Sequence, residues 1–174
     1  MKILLTISVI FVIGGTLGWI LEFFYRRLAH GKWINPGFLT GPCLPLYGCG
    51  LLLLYGLCRF DYSFIPGRAA QIVVQLLVQT VILTAIEYVT GLIFTKVFHV
   101  KLWDYSSRPG NIGGIICPLF TLIWGAVGAG YYFLLHPLLE RLIVIITQTP
   151  AFSYLLGMYV GVWLVDLCYS FHIV

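Results

Sequence analysis

The stretch ILLTISVIFVIGGTLGWILEFF, residues Ile3–Phe24, decides the fold of this protein. Apart from Glu22, its residues are apolar, small or hydroxyl-bearing. About 20 such residues are enough for a helix to cross the hydrocarbon core of a bilayer. Inside that core every backbone polar group must be bonded within its own segment, so the stretch is predicted to be a transmembrane helix.

The composition extends this prediction to the whole chain. Of its 174 residues, 60% are hydrophobic and only 9% are charged. Soluble domains carry roughly 25% charged residues, so this chain could not cover the surface of a soluble fold. A soluble enzyme, a disordered regulator and an ordinary nucleic-acid-binding domain are therefore excluded. We expect an all-α integral membrane protein, with a single transmembrane domain over residues 1–174 and no nucleic-acid partner.

Four further apolar runs complete a prediction of five transmembrane helices, spans 1 to 5. After the first span, at residues 3–24, they cover residues 41–57, 69–98, 111–135 and 152–173. Spans 2 and 4 open with Gly and Pro, which predicts broken helix starts. The charged segment 137–147 is predicted to be an interfacial or extended helical piece rather than a sixth span.

The basic residues predict an orientation, since cytoplasmic loops carry an excess of Lys and Arg. Loop 1 follows span 1 and loop 3 follows span 3, so both lie on the same side of the membrane. Together they hold six basic residues: Arg26, Arg27, Lys32, Lys96, Lys101 and Arg108. The opposite side of the membrane holds four: Lys2, Arg59, Arg68 and Arg141. Loops 1 and 3 are therefore expected in the cytoplasm, and the net charge of +4 reflects the same excess. The first span has no cleavage site after it and is predicted to be retained.

An internal repeat relates the odd-numbered spans and the loops after them. The acid-bearing helices carry Trp19-x-x-Glu22-x-x-Tyr25 in span 1, Glu87-Tyr88 in span 3 and Trp163-x-x-Asp166-x-x-Tyr169 in span 5. In the loops that follow the first two acids, Lys32-Trp33 corresponds to Lys101-Leu102-Trp103, and Asn35-Pro36-Gly37 corresponds to Pro109-Gly110-Asn111. The next spans then begin with the matching clusters Gly41-Pro42-Cys43 and Gly114-Ile115-Ile116-Cys117-Pro118. The order predicts a unit of acid-bearing helix, basic aromatic loop and broken helix start, used twice. A third acid-bearing helix ends the chain.

The three acids are predicted to share one depth in the membrane. Spans 1, 3 and 5 run in the same direction, and Glu22, Glu87 and Asp166 all lie towards their C-terminal ends. Since an ionisable group in a membrane is costly unless paired or hydrated, we expect a polar site near the cytoplasmic leaflet, with Arg26 and Arg108 as countercharges. Structural alternatives stay open: Glu22–Arg26 as an i,i+4 pair, and a stripe of Gln71, Gln75 and Gln79 as contacts between helices.

This mixture of charges suits a zwitterionic or anionic ligand, such as a phospholipid headgroup or a small amino compound. Helix N-termini favour anions, and transporters place broken helices around their substrates. Trp33, Trp103 and Tyr105 are candidates either to stack on the ligand or to anchor the interface. The leading hypothesis is a protein that binds and moves a polar or amphipathic molecule.

A membrane-embedded enzyme acting on a lipid or thiol substrate is the second hypothesis. Cys43 and Cys117 occupy matching places in the repeat, but no histidine lies beside either in the sequence, and a thiol nucleophile needs a base. The chain has no nucleotide-binding motif and no metal-ligand spacing, so no cofactor or metal is expected.

An accessory subunit of a larger complex is the third hypothesis. In that case a separate ATPase subunit would carry out any ATP hydrolysis. A homodimer is expected because five spans are few for a complete transporter.

Specific motifs in loops 1 and 3 also carry a family resemblance, over about residues 14–169. They are Gly18-Trp19-x-x-Glu22-Phe23-x-Tyr25-Arg26, Lys32-Trp33-x-Asn35-Pro36-Gly37-Phe38-Leu39-x-Gly41-Pro42, Leu102-Trp103-Asp104-Tyr105-Ser106 and Asn111-Ile112-x-Gly114. The chain resembles the bacterial membrane family labelled ABC transporter permease, CmpB-type or type IV, with vertebrate members among the small transmembrane proteins numbered 229. The resemblance implies a transport role in a bacterial cell membrane.

Residues and resemblance together give one set of candidate binding residues. They are Glu22, Arg26, Trp33, Asn35, Cys43, Glu87, Trp103, Asp104, Tyr105, Arg108, Asn111, Cys117 and Asp166. None of them is predicted to be catalytic or to bind a metal.

Overall fold

The computed structural model describes the backbone of residues 2–172 and the side chains of residues 3–29 and 31–172. Its helices are α1 Lys2–His30, α2 Pro45–Arg59, α3 Arg68–Lys96, α4 Pro118–Gly130, α5 His136–Gln148 and α6 Pro150–Ser170. Within these residues no strand is formed, and the all-α prediction is confirmed.

A π turn, Tyr131–Leu135, joins α4 to α5, so that Pro118–Gln148 is one continuous helix of 31 residues. Pro137 explains the position of this turn. A proline inside a helix has no N–H to donate, and its ring displaces the carbonyl four residues earlier. The π turn absorbs this disturbance one residue before α5 begins.

Four helices are long and apolar enough to cross a membrane. They are Ile3–Ala29, Arg68–Lys96, Pro118–Gln148 and Pro150–Ser170. α2 has 15 residues and spans only about 22 Å, against the ~30 Å of a hydrocarbon core. The protein is therefore a multi-pass membrane protein with four candidate spans, and the count of five stays a prediction.

The predicted starts of spans 2 and 4, at residues 41 and 111, are too early. α2 begins at Pro45 and α4 at Pro118, because proline is suited to the first turn of a helix. The predicted end of span 4 at residue 135 is also wrong, since the helix continues to Gln148 and segment 137–147 is its extension. Ile173, the last residue of the predicted fifth span, lies outside the described residues.

The chain divides into two compact units, and each is described separately. Unit 1 comprises Met1–Leu52 and Leu139–Val174, and unit 2 comprises Leu53–Leu138. The single domain over residues 1–174 therefore stays a prediction.

In unit 1, glycines on α1 receive the start of α2. A Cβ at Gly18 would lie 2.2 Å from the ring of Tyr47, and one at Gly14 would lie 2.8 Å from Cβ of Leu51. The N–H of Leu44 donates a 2.9 Å hydrogen bond to the carbonyl of Gly15. Only glycine allows this approach, which fixes the segment before α2 against α1.

In unit 2, α3 packs along α4. Gly128 on α4 faces Gln79 on α3, where a Cβ would lie 3.2 Å from Oε1 of the amide. The stripe of glutamines also joins α3 to α2, because Gln75 and Gln79 each donate to the thiol of Cys58, at 3.2 and 3.3 Å. Gln75 and Gln79 therefore form contacts between helices, which is the structural alternative that the sequence analysis gave for this stripe.

Candidate functional site

Each of the three acids has its own hydrogen-bond partners. Glu22, on α1, accepts a 3.2 Å hydrogen bond from the hydroxyl of Tyr47. Its other oxygen lies 3.8 Å from Nε of Arg26, one turn further along α1. Arg26 also donates to the carbonyl of Pro36. Glu22 thus connects α1 both to α2 and, through Arg26, to loop 1.

Asp166, on α6, holds the segment that precedes α2. One carboxylate oxygen accepts the N–H of Thr40 at 3.0 Å, and the other accepts the N–H of Gly41 at 2.8 Å. Ser170 donates a third hydrogen bond. A Cβ at Gly41 would lie 3.0 Å from the carboxylate, so a side chain at that position would crowd it. The charge of Asp166 is thereby stabilised by backbone donors rather than by a cation.

Glu87, on α3, is the most buried acid, with 3% of its surface exposed. One oxygen accepts a 3.1 Å hydrogen bond from the hydroxyl of Tyr105 in loop 3. The other accepts a 2.9 Å hydrogen bond from the indole N–H of Trp124 on α4. Both oxygens of a costly buried carboxyl group are therefore satisfied within unit 2.

The predicted countercharges differ in what they contact. Arg26 meets Glu22 as described, whereas Arg108 is exposed and forms no ion pair with any described residue. The hydrogen bonds described above involve different partners for each acid. The convergence of the three acids in a single pocket stays a prediction.

The Asn35-Pro36-Gly37 element of loop 1 forms a tight turn around Asn35. Its amide donates to the carbonyls of Leu39 and Thr40, and its oxygen accepts from Trp19 on α1 and from the N–H of Gly37. Asn35 is therefore occupied in holding the loop.

Trp33 lies at the exposed end of α1. Its ring stacks on Phe23 with the centroids 4.9 Å apart, and the guanidinium of Arg27 lies 5.4 Å from its centroid. It is 56% exposed, which fits either predicted role, ligand stacking or interface anchoring.

Loop 3 is held by its own polar side chains. Asn111 donates to the carbonyls of Ser106 and Arg108 and accepts the N–H of Gly114. Asp104 accepts from the hydroxyl and N–H of Ser106 and from Lys101. These bonds hold the pKa of Asp104 well below its usual range.

The aromatic residues of loop 3 pack within unit 2. Trp103 donates its indole N–H to the carbonyl of Ile115 at 2.8 Å. Tyr105 stacks on Phe120, with centroids 4.2 Å apart, and reaches Glu87 through its hydroxyl. These contacts orient the donor to Glu87.

The two matching thiols, Cys43 and Cys117, are each 2% exposed. Cys43 lies beside Tyr159, Trp163 and Asp166, none of which is a histidine. Among the residues that the structure describes, no group of three His, Cys, Asp or Glu side chains is placed to hold a metal ion.

An open groove of about 460 Å³ lies in unit 1 between α6 and the segment 40–43. Its walls are largely apolar and include Val162, Val165 and Tyr169, and Asp166 is its charged residue. The indole Nε1 of Trp163 is buried here and forms no hydrogen bond with any described residue. The groove, which we call the α6 groove, thus combines an apolar surface with one carboxylate.

Several residues of these sites were not predicted from the sequence. Trp124, Tyr159 and Trp163 act as donors or as groove walls, and Tyr47 reaches Glu22. Tyr47 carried a signal, since the stretch Pro45-Leu46-Tyr47 at the start of span 2 is matched by Pro118-Leu119-Phe120 in span 4. Trp124 lies 37 residues from Glu87, and no local spacing relates the two.

The comparison with protein families agrees with this membrane architecture. The family model described as "Putative ABC-transporter type IV" matches residues 9–171. The chain belongs to this family. The match covers all four candidate spans except the first residues of α1, and it confirms the family resemblance seen in the loop motifs. No curated protein and no solved structure matches the chain significantly.

Proposed function

We propose that this protein is the membrane component of a transporter and that it binds an amphipathic small molecule, such as a lipid, in the α6 groove. The observation that carries the proposal is the pairing of a groove of about 460 Å³ with the carboxylate of Asp166. Small-molecule sites occupy roughly 300–1,000 Å³ and combine apolar walls with a few placed polar groups. Membership of an ABC-transporter-type family supports the transport role.

The chemistry of the groove defines the ligand class. Val162 and Val165 offer an apolar wall for an acyl or ring system. Asp166 uses three hydrogen bonds, and a carboxylate offers about four acceptor positions, so one is left for a donor. A neutral or cationic amphiphile therefore fits better than a simple anion.

The remaining candidate residues support this site or form others like it. Glu22 and Glu87 are intramembrane acids that neighbouring elements hold in place, and Trp33 is the exposed aromatic best placed to meet a ligand from the membrane. The excess of basic residues in loops 1 and 3 favours a cytoplasmic position for them. A cysteine placed at Arg108 and one placed at Ser63 should then be labelled from opposite sides of sealed vesicles.

A separate ATPase subunit is the proposed energy source, because the chain has no nucleotide-binding motif and the family is of ABC type. A homodimer is proposed as the assembled form. Affinity purification in mild detergent, followed by mass spectrometry, tests both: recovery of an ATPase supports the transporter, and recovery of the isolated chain alone counts against it.

The α6 groove can be tested by filling it. Val162→Trp adds bulk to the groove wall, whereas Leu164→Trp places the same side chain at an exposed position of α6 outside the groove. We expect lipids co-purified in polymer-bounded membrane discs to be lost from the Val162→Trp protein and kept by the Leu164→Trp protein. Equal retention by both variants would contradict the proposal. A covalently altered lipid would instead support the membrane-embedded enzyme.

A further inference from the structure

Unit 2 contains a second cavity of about 460 Å³, at the start of α3. It lies between the end of α2, the loop of residues 60–67 and the π turn. Arg68 lines this cavity. At a rise of about 1.5 Å per residue, Arg68 lies about 28 Å along α3 from Glu87. This distance is close to the thickness of a hydrocarbon core. The cavity, which we call the α3 cavity, is thus at the opposite end of the span from Glu87, and it belongs to a different unit from the α6 groove.

The α3 cavity contains a guanidinium group with unused donors. Arg68 donates one hydrogen bond, of 3.0 Å, to the hydroxyl of Tyr132 in the π turn, and in the described part of the chain no carboxylate pairs with it. It is also the first residue of α3, whose first turn has no acid and whose N-cap, Gly67, provides no side-chain hydrogen bond. A cation at the positive end of a helix is unfavourable. An anionic group bound there would relieve the repulsion and use the free donors.

A carboxylate lines the same cavity. Asp61 accepts hydrogen bonds of 2.9 Å from both the N–H and the hydroxyl of Ser63. These bonds lower the pKa of Asp61, so it is charged at neutral pH. Among the described residues, Asp61 and Arg68 do not pair with each other although both line the cavity. Separated opposite charges are complementary to a ligand that carries both signs.

The inner wall of the cavity is polar. Gln71 and Gln75 line it together with Cys58. Gln75 donates a 3.2 Å hydrogen bond to the thiol of Cys58, and Gln71 donates to the carbonyl of Ile65. A few placed polar groups of this kind fix the orientation of a ligand in its site.

We propose that the α3 cavity binds a zwitterionic group, in which a phosphate or carboxylate stands beside an ammonium. The anionic part contacts Arg68 and the first-turn N–H groups of α3. The ammonium contacts Asp61 and the ring of Tyr62, since cations are attracted to aromatic faces. Exposed Phe60 and Phe64 beside the cavity are typical of the membrane interface, where zwitterionic lipid headgroups lie. The same chemistry is present in soluble zwitterions such as glycerophosphoethanolamine.

The test uses the full-length protein in nanodiscs with equal amounts of phosphatidylethanolamine and anionic phosphatidylglycerol. Native mass spectrometry after delipidation counts the lipids retained. The variants are Arg68→Gln and Asp61→Asn, with Arg141→Gln as a matched control, because Arg141 is an exposed arginine that does not line the cavity. Size-exclusion profiles and thermal unfolding verify that each variant is folded.

We expect the wild-type protein to prefer phosphatidylethanolamine and Arg68→Gln to lower its retention by about tenfold, since charge-assisted hydrogen bonds are lost. Arg141→Gln should retain it fully, and Asp61→Asn should shift the preference towards phosphatidylglycerol. Displacement of the lipid by added glycerophosphoethanolamine would identify a site for soluble zwitterions, and failure to displace it would identify a headgroup site. Equal retention of both lipids by the wild type, or equal effects of Arg68→Gln and Arg141→Gln, would overturn the proposal. When Val162→Trp has removed any lipid of the α6 groove, Arg68→Gln should still lower the remaining retention, which separates the α3 cavity from the α6 groove.

Discussion

The hydroxyl of Tyr105 donates a 3.1 Å hydrogen bond to Oε1 of Glu87, and so a loop residue satisfies a carboxyl group buried in a candidate membrane span. The ring of Tyr105 is fixed in turn by stacking on Phe120. Loop 3 is therefore coupled to the interior of unit 2, and a substitution in the loop should alter the stability of the packing around Glu87.

The Tyr105–Glu87 bond can be removed with little change in shape. Tyr105→Phe keeps the stacked ring but leaves one oxygen of a buried carboxyl group without this donor. Loss of a hydrogen bond to a charged or buried acceptor costs about 1–3 kcal/mol. We expect a lower thermal unfolding midpoint in detergent. Tyr88→Phe is the control. Tyr88 is on the same helix as Glu87, and its hydroxyl forms no hydrogen bond with any described residue, so this substitution should not change the midpoint.

The contact between Gly18 and Tyr47 predicts a second effect on stability. Gly18→Ala would place a Cβ 2.2 Å from the Tyr47 ring, and overpacking of this kind costs about 1–3 kcal/mol. The ring would have to move, which would also lengthen its hydrogen bond to Glu22. Gly157→Ala, on α6 where a Cβ meets nothing within 4 Å, should be neutral or stabilising because alanine favours helices. Similar midpoints for the two variants would contradict the packing described for unit 1.

Asp166 is expected to control access to Cys43. Asp166→Asn replaces one acceptor oxygen by an amide donor that faces a backbone N–H, so the segment around Gly41 should loosen. Maleimide labelling, resolved by peptide mass spectrometry, should then increase at Cys43, which is 2% exposed in the native protein. Cys117 has the same exposure in unit 2 and serves as an internal control. Parallel increases at both thiols would indicate general unfolding instead.

The pH dependence of loop 3 should follow Asp104. Hydrogen bonds from Ser106, followed by the contact with Lys101, lower the pKa of Asp104 in the folded protein. Between the folded and unfolded pKa values the unfolded state binds more protons, so stability rises with pH there. The contribution is complete above the unfolded value, near pH 4, and it decreases as the pH falls towards the folded value. We expect the wild-type unfolding midpoint to drop more between pH 5 and pH 3 than that of Asp104→Asn, and the difference between the two proteins to be constant from pH 6 to pH 8.

The helix boundaries show how much of the structure could be predicted from local sequence. The ends of α3 were predicted within two residues, because a long apolar run in lipid has one low-energy backbone form. The starts of α2 and α4 were not, since Gly41 and Asn111 read as part of the apolar runs. In the structure, Gly41 is held by Asp166 and Asn111 closes loop 3. Those bonds compete with helix formation, and the two helices begin only at Pro45 and Pro118.

By itself, the sequence determined that this protein is helical and resides in a membrane, because composition and bilayer thickness leave a chain of this hydropathy few alternatives. It also determined which acids lie within apolar spans. The motifs of loops 1 and 3 carried the family resemblance. Only the tertiary structure decided what each acid contacts: Asp166 meets Gly41 across 125 residues, and Glu87 meets Trp124 across 37. Such partners depend on how helices pack side by side, and the periodicity within one helix carries no information about its neighbour.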